Sequence, residues 1–96
     1  MKKANFEVSL PIIILREGDA FVAYTPALDL STAGDSLAEV KERFIEAVNV
    51  FLEEAHKMGT LEDVLTEMGW KREDNDWVPP VIISHDSQTF RVPFYS

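Results

Sequence analysis

One stretch, Ser36 to Gly59 (SLAEVKERFIEAVNVFLEEAHKMG), restricts what this chain can fold into more than any other. Ser36 and Glu39 stand at the spacing of a capping box, in which a hydroxyl and a carboxylate each satisfy a backbone N–H at a helix start. Gly59 follows a last turn holding His56 and Lys57, which suits a left-handed cap and cations set against the negative end of the helix dipole. Steps of about 100° place Leu37, Val40, Phe44, Ala47, Val48, Phe51 and Ala55 on one face, and Glu39, Glu42, Glu46 and Glu53 on the opposite one. Such a helix needs an apolar surface beneath it and leaves an acidic ridge for water or a partner.

The flanking sequence supplies that surface as an antiparallel sheet. Residues 5–15 (NFEVSLPIIIL) set Phe6, Val8, Leu10, Ile12 and Ile14 on one side of a strand, while Ile13 and Leu15 make its far end apolar on both sides. Pro11 has no amide hydrogen, so it belongs at an edge or a bulge. Arg16 to Asp19 make a turn around Gly18, and AFVAYT returns as the second strand of a hairpin. Leu28 to Ala33 is a short third strand leading to Gly34 and the helix cap. The spacing therefore predicts an α+β fold: an antiparallel β-meander with one long helix across it, followed by a short helix and C-terminal strands.

Beyond Gly59, Thr60 with Asp63 reads as a second cap, and Leu61, Val64, Leu65 and Met68 point one face of a short helix to the core before Gly69 closes it. Trp70 and Trp77 bracket KREDND, two short extended pieces around a polar loop. VIIS, past Pro79 and Pro80, is expected to be a strand. So is TFRVPFYS, where Phe90, Val92 and Phe94 alternate with Arg91, Pro93 and Tyr95. This aromatic tail is expected to be pinned against the apolar end of the first hairpin or against another subunit. Ile13, Leu15, Phe90, Val92 and Phe94 are accordingly the expected oligomer interface.

With 96 residues the chain makes one domain, residues 1–96, burying about 65% of its unfolded surface. A net charge of −8 repels phosphate and attracts cationic protein surfaces, so direct nucleic-acid binding is not expected. The same charge also serves simple solubility. The chain has no cysteine, so disulfides, thiolate metal sites and cysteine nucleophiles are excluded. No run approaches the length of a membrane span, and a cytoplasmic protein without cofactor is expected.

Chemistry finds little purchase. Asp29, Asp35 and Glu39 raise the possibility of a divalent-metal nuclease, but two-metal chemistry needs converging carboxylates, and helix capping already accounts for Asp35 and Glu39. His56 and His85 lack metal-ligand spacing, Ser84-His85-Asp86 has the composition of a turn, and Gly18 and Gly34 are turn glycines rather than a phosphate loop. Glu39–Arg43 and Glu53–Lys57 stand at pairing distance on the helix, whereas Glu42 and Glu46 repel each other at a cost of a few tenths of a kcal/mol.

The motif Tyr24-x-Pro26-x-Leu28, then Gly34-Asp35-Ser36-Leu37, then Ala47 and Phe51-Leu52 on the helix resembles the HicB-like antitoxin family over residues 8–58. The resemblance implies a partial RNase H-like fold that assembles as a dimer or tetramer. It also implies a non-enzymatic role: neutralising by occlusion a small basic RNA-cleaving toxin of the HicA type. Many members add a helix-turn-helix or ribbon-helix-helix domain; here the residues after Gly69 read as strands, so operator binding is not implied. The family loop often carries a Gly-Cys pair where this chain has Asp29-Leu30-Ser31. Tyr24, Pro26 and Leu28 are the expected apolar anchors for a partner, and Glu42 and Glu46 the charges that attract it. The alternatives are a homo-oligomeric regulatory or scaffold protein with this fold and no toxin, and the metal-dependent nuclease.

Overall fold

The computed structural model describes residues 7–95. Strands β1 (Ile13–Glu17), β2 (Ala20–Thr25) and β3 (Leu30–Gly34) form an antiparallel sheet in the order β1-β2-β3. Helix α1 (Leu37–Lys57) lies across β2 and β3. A short helix α2 (Leu61–Glu67) follows, and then a hairpin of β4 (Lys71–Glu73) and β5 (Asp76–Val78). The α+β class read from the sequence is the class observed.

Gly18 takes φ +61° at the first position of the two-residue loop between β1 and β2, where a hairpin turn of the II′ type places its glycine. A two-residue loop makes Glu17 and Ala20 a hydrogen-bonded pair. Glu17, Leu15 and Ile13 therefore bond to β2, while Ile14 and Arg16 direct their backbone groups to the outer edge. Side chains alternate with the same period. Ile14, Phe21 and Ala23 pack under α1 against Val40 and Phe44. Ile13, Leu15, Val22 and Tyr24 consequently occupy the opposite face of the sheet. Burial of Phe44 alone, 2% exposed, is worth about 1.5–3 kcal/mol. The helix sits close because residue 34 is glycine: a Cβ there would stand 2.9 Å from the Val40 nitrogen.

A second cluster joins the β2–β3 loop to α2. Ala27, Leu28, Leu65 and Trp70 are buried together, and the Trp70 indole N–H donates to the Ala27 carbonyl at 2.7 Å. The chain end of α2 explains how Trp70 reaches that position. Gly69, at φ +90°, donates to Thr66, and the Trp70 N–H donates to Leu65; this is a Schellman cap, whose usual apolar contact is here Leu65 with Trp70. The end of α1 repeats the device, with Gly59 at φ +72° donating to His56 and Thr60 donating to Ala55.

Four sequence expectations change. Residues 7–12 are not strand; β1 begins only after Pro11, and Val8 and Leu10 pack instead against the Leu28–Trp70 cluster. Phe6 lies outside the described residues. At the α1 start the Ser36 hydroxyl accepts from the Glu39 N–H as expected, but the Glu39 carboxylate accepts from Asp35, one residue before the cap. Thr60 makes no side-chain cap for α2 because it is already engaged in closing α1, its hydroxyl directed to the Ala55 carbonyl. Finally, VIIS and TFRVPFY are not strands: residues 79–95 carry no regular structure. Neither segment has a neighbouring strand among the described residues to receive its backbone groups.

Candidate functional site

The outer side of α1 is an acidic ridge running beside an apolar groove. Glu42, Glu46 and Glu53 are exposed, as their helical spacing requires. Glu39 is half-buried and committed to local bonds: it receives the Asp35 N–H and pairs with Arg43 at 3.4 Å. Arg43 in turn donates to the Ala33 carbonyl at 3.0 Å, tying the helix to β3. The expected Glu53–Lys57 ion pair is not formed among the described residues, which leaves Glu53 available as charge.

Next to this ridge, between α1 and α2, lies an open groove of about 780 Å3. Ala47, Val50, Phe51, Met58 and Val64 form its walls, and Glu46, Glu54 and Arg43 stand on its rim. Val50 is 55% exposed and Met58 71%, so apolar surface is open here without cover. The helical period did not single out either residue, because both fall beside the stripe that meets the sheet. A neighbouring depression over Glu42, Ile45 and Asn49 continues the surface towards the helix start.

The Tyr24–Leu28 loop is built for rigidity. Leu28 is 1% exposed and packed within the core, so its side chain offers no contact to a partner. Thr25 is buried and its hydroxyl accepts the Ala27 N–H at 3.2 Å. Pro26 is exposed. Tyr24 donates its phenol hydrogen to Asp29 at 3.0 Å, and Asp29 holds a left-handed backbone at φ +48°. This bond, helped by partial desolvation and by the negative charge of Asp29, raises the Tyr24 pKa above 10.0. The five residues expected to contact a partner are thus not brought together. Glu42 and Glu46 crown α1, Tyr24 lies on the far face of the sheet, and Leu28 is interior.

The expected oligomer residues also divide. Ile13 and Leu15 lie on the far face of the sheet, with Leu15 half exposed. Phe90, Val92 and Phe94 lie on the extended tail, each more than 70% exposed. Asp29, Asp35 and Glu39, the candidate ion ligands, have separate local duties, and among the described residues no three histidine, aspartate or glutamate side chains stand close enough to hold a metal ion. His56 and His85 are both exposed. No described helix is long and apolar enough to cross a membrane. Comparison with protein-family models, with curated proteins and with solved structures gives no match to this chain.

Proposed function

We propose that this chain is a protein-binding domain that docks a small cationic protein along α1 and acts by covering it, performing no chemistry of its own. The observation that carries the reading is the open apolar groove whose rim holds Glu46 and Glu54, beside the exposed Glu42. Carboxylates around an apolar cleft divide the work of recognition. Long-range attraction speeds encounter with a basic surface, and an apolar side chain seated among Val50, Phe51 and Met58 slows release. The net charge of −8 extends the attraction beyond the groove.

The resemblance to HicB-like antitoxins gives this partner a chemistry: a short basic RNA-cleaving protein whose active surface would be hidden on docking. A cytoplasmic setting belongs to the same proposal. The test is to recover the tagged chain from its native host, identify any small basic protein bound to it, and assay that protein for RNA cleavage with and without the chain. Cleavage suppressed by the chain, and restored when Val50→Asp places a charge in the groove, supports the reading. RNA cleavage by the purified chain itself, dependent on magnesium or manganese, would overturn it.

A further inference from the structure

The sheet has two outer edges, and the chain treats them differently. On β3 the outward groups are those of Ser31 and Ala33, because Leu30, Thr32 and Gly34 face Thr25, Ala23 and Phe21. The outward Ala33 carbonyl accepts from Arg43, and the next N–H in that row, Asp35, is taken by Glu39. An ion pair from α1 therefore covers the end of this edge nearest the helix start, while the outward groups of Ser31 have no partner among the described residues. On β1 the outward groups of Ile14 and Arg16 have no partner among the described residues. Beside that open edge is an apolar notch of about 330 Å3 walled by Ile12, Ile14, Phe44 and Ile45, with Ile45 60% exposed. An open edge next to an apolar notch is a template for one more strand.

The same chain carries a strand-like segment that pairs with no strand among the described residues. Past Pro79 and Pro80 the arm runs without regular structure, and apart from the half-buried Ile82 its apolar side chains face solvent: Ile83 is 93% exposed, Val92 74% and Phe94 88%. The molecule extends 65 Å along its long axis, and its radius of gyration is 16.8 Å, against about 12.5 Å for a compact chain of this length. It leaves 8188 Å2 accessible, where a compact chain of 10.9 kDa leaves about 5600 Å2. This excess, about 2600 Å2 per chain, is well above the roughly 800 Å2 that each partner gives to a standard interface, and over two chains it reaches the size of permanent interfaces.

We infer that two copies exchange these arms, residues 89–95 of each adding antiparallel to the open β1 edge of the other. Proline chemistry fixes which side of the arm pairs. Pro93 has no N–H, so its side of the backbone must face away from the ladder. Phe90, Val92 and Phe94 then direct their backbone groups inward. In an antiparallel pair, residues bonded to each other lie directly opposite and share a face. Inward-bonding arm residues therefore sit opposite Ile14 and Arg16, the outward-bonding residues of β1, and on the face of Ile14. Phe90, Val92 and Phe94 land over the notch beside Ile45, and Arg91, Pro93 and Tyr95 fall on the far face with Leu15. The arm becomes the new edge, with Pro93 blocking further addition. The α1–α2 groove stays free, so this exchange does not depend on what docks there.

Two proline substitutions of opposite parity test it in the full chain, with mass measured by sedimentation and folding checked by circular dichroism. Wild type is expected to sediment at twice the 10.9 kDa chain mass or a multiple of it. Val92→Pro removes an inward N–H and should weaken association at least tenfold, giving a folded monomer. Arg91→Pro removes only an outward N–H and should leave the assembly intact. A monomeric wild type, or two variants that behave alike, would overturn the inference.

Discussion

Tyr24 is explained by a single bond and Thr32 stands out for lacking one, and both cases can be tested directly. The Tyr24 phenol keeps its proton because it donates to Asp29. A raised folded-state pKa contributes stability that is fully present below the unfolded value near 10 and is lost as pH climbs through the folded value. Asp29→Asn removes the charge and should bring phenolate formation at Tyr24, read at 295 nm in a Tyr95→Phe background, back towards 10.0. Thr32 poses the opposite case, since its hydroxyl oxygen is buried with no hydrogen-bond partner among the described residues. Thr32→Val keeps the shape and removes the unmet polar atom, so thermal unfolding should show a gain of about 1 kcal/mol. A loss instead would mean that the hydroxyl has a partner, such as a water. Leu28 shows what the sequence hides at this scale. Its burial depends on Trp70 and Leu65, distant in the chain, and no local pattern distinguishes it from an exposed loop leucine.

Elements whose signals are local were legible in advance. The hairpin was written in Gly18 and the strand-forming run AFVAYT after it, and α1 in Ser36, its apolar period and Gly59. Their packing adds one requirement that composition does not reveal: β3 and α1 approach so closely at Gly34 that a methyl group would meet the Val40 backbone. Because backbone on both sides cannot give way easily, Gly34→Ala should destabilise the fold by about 1–3 kcal/mol in urea unfolding, without strain in φ being the cause. The arm was misread as strand for a physical reason. Alternating apolar residues describe what a segment would bury, not whether a neighbouring strand is there to receive its backbone, and in one chain Phe90 to Phe94 have none.

For the whole molecule, the division of surfaces carries the functional account. The sheet buries its inner face under α1, the arm and the β1 edge are complementary to each other, and the acidic ridge with its groove stays open, the surface to which the proposed partner is assigned. The ridge was visible in the sequence as spaced glutamates. The groove was not, because it exists only where Thr60 and the α2 residue Val64 fold back beside α1. Placing docking on α1 rather than on the charge of the molecule at large makes a sharp distinction between two pairs of substitutions with equal net charge. Glu42→Lys with Glu46→Lys, and Asp19→Lys with Glu73→Lys, reverse two charges each; the first variant changes +2 at −8 twice, giving −4, and substitution of Asp19 and Glu73 does the same. The most direct measurement is the association rate of each variant with the basic partner recovered from the native host, followed across a range of salt concentration. The ridge variant should associate roughly tenfold more slowly at low salt with a flattened salt dependence, while the pair that lines neither the groove nor the adjoining depression stays within about twofold of wild type. Equal slowing of both would contradict docking along α1.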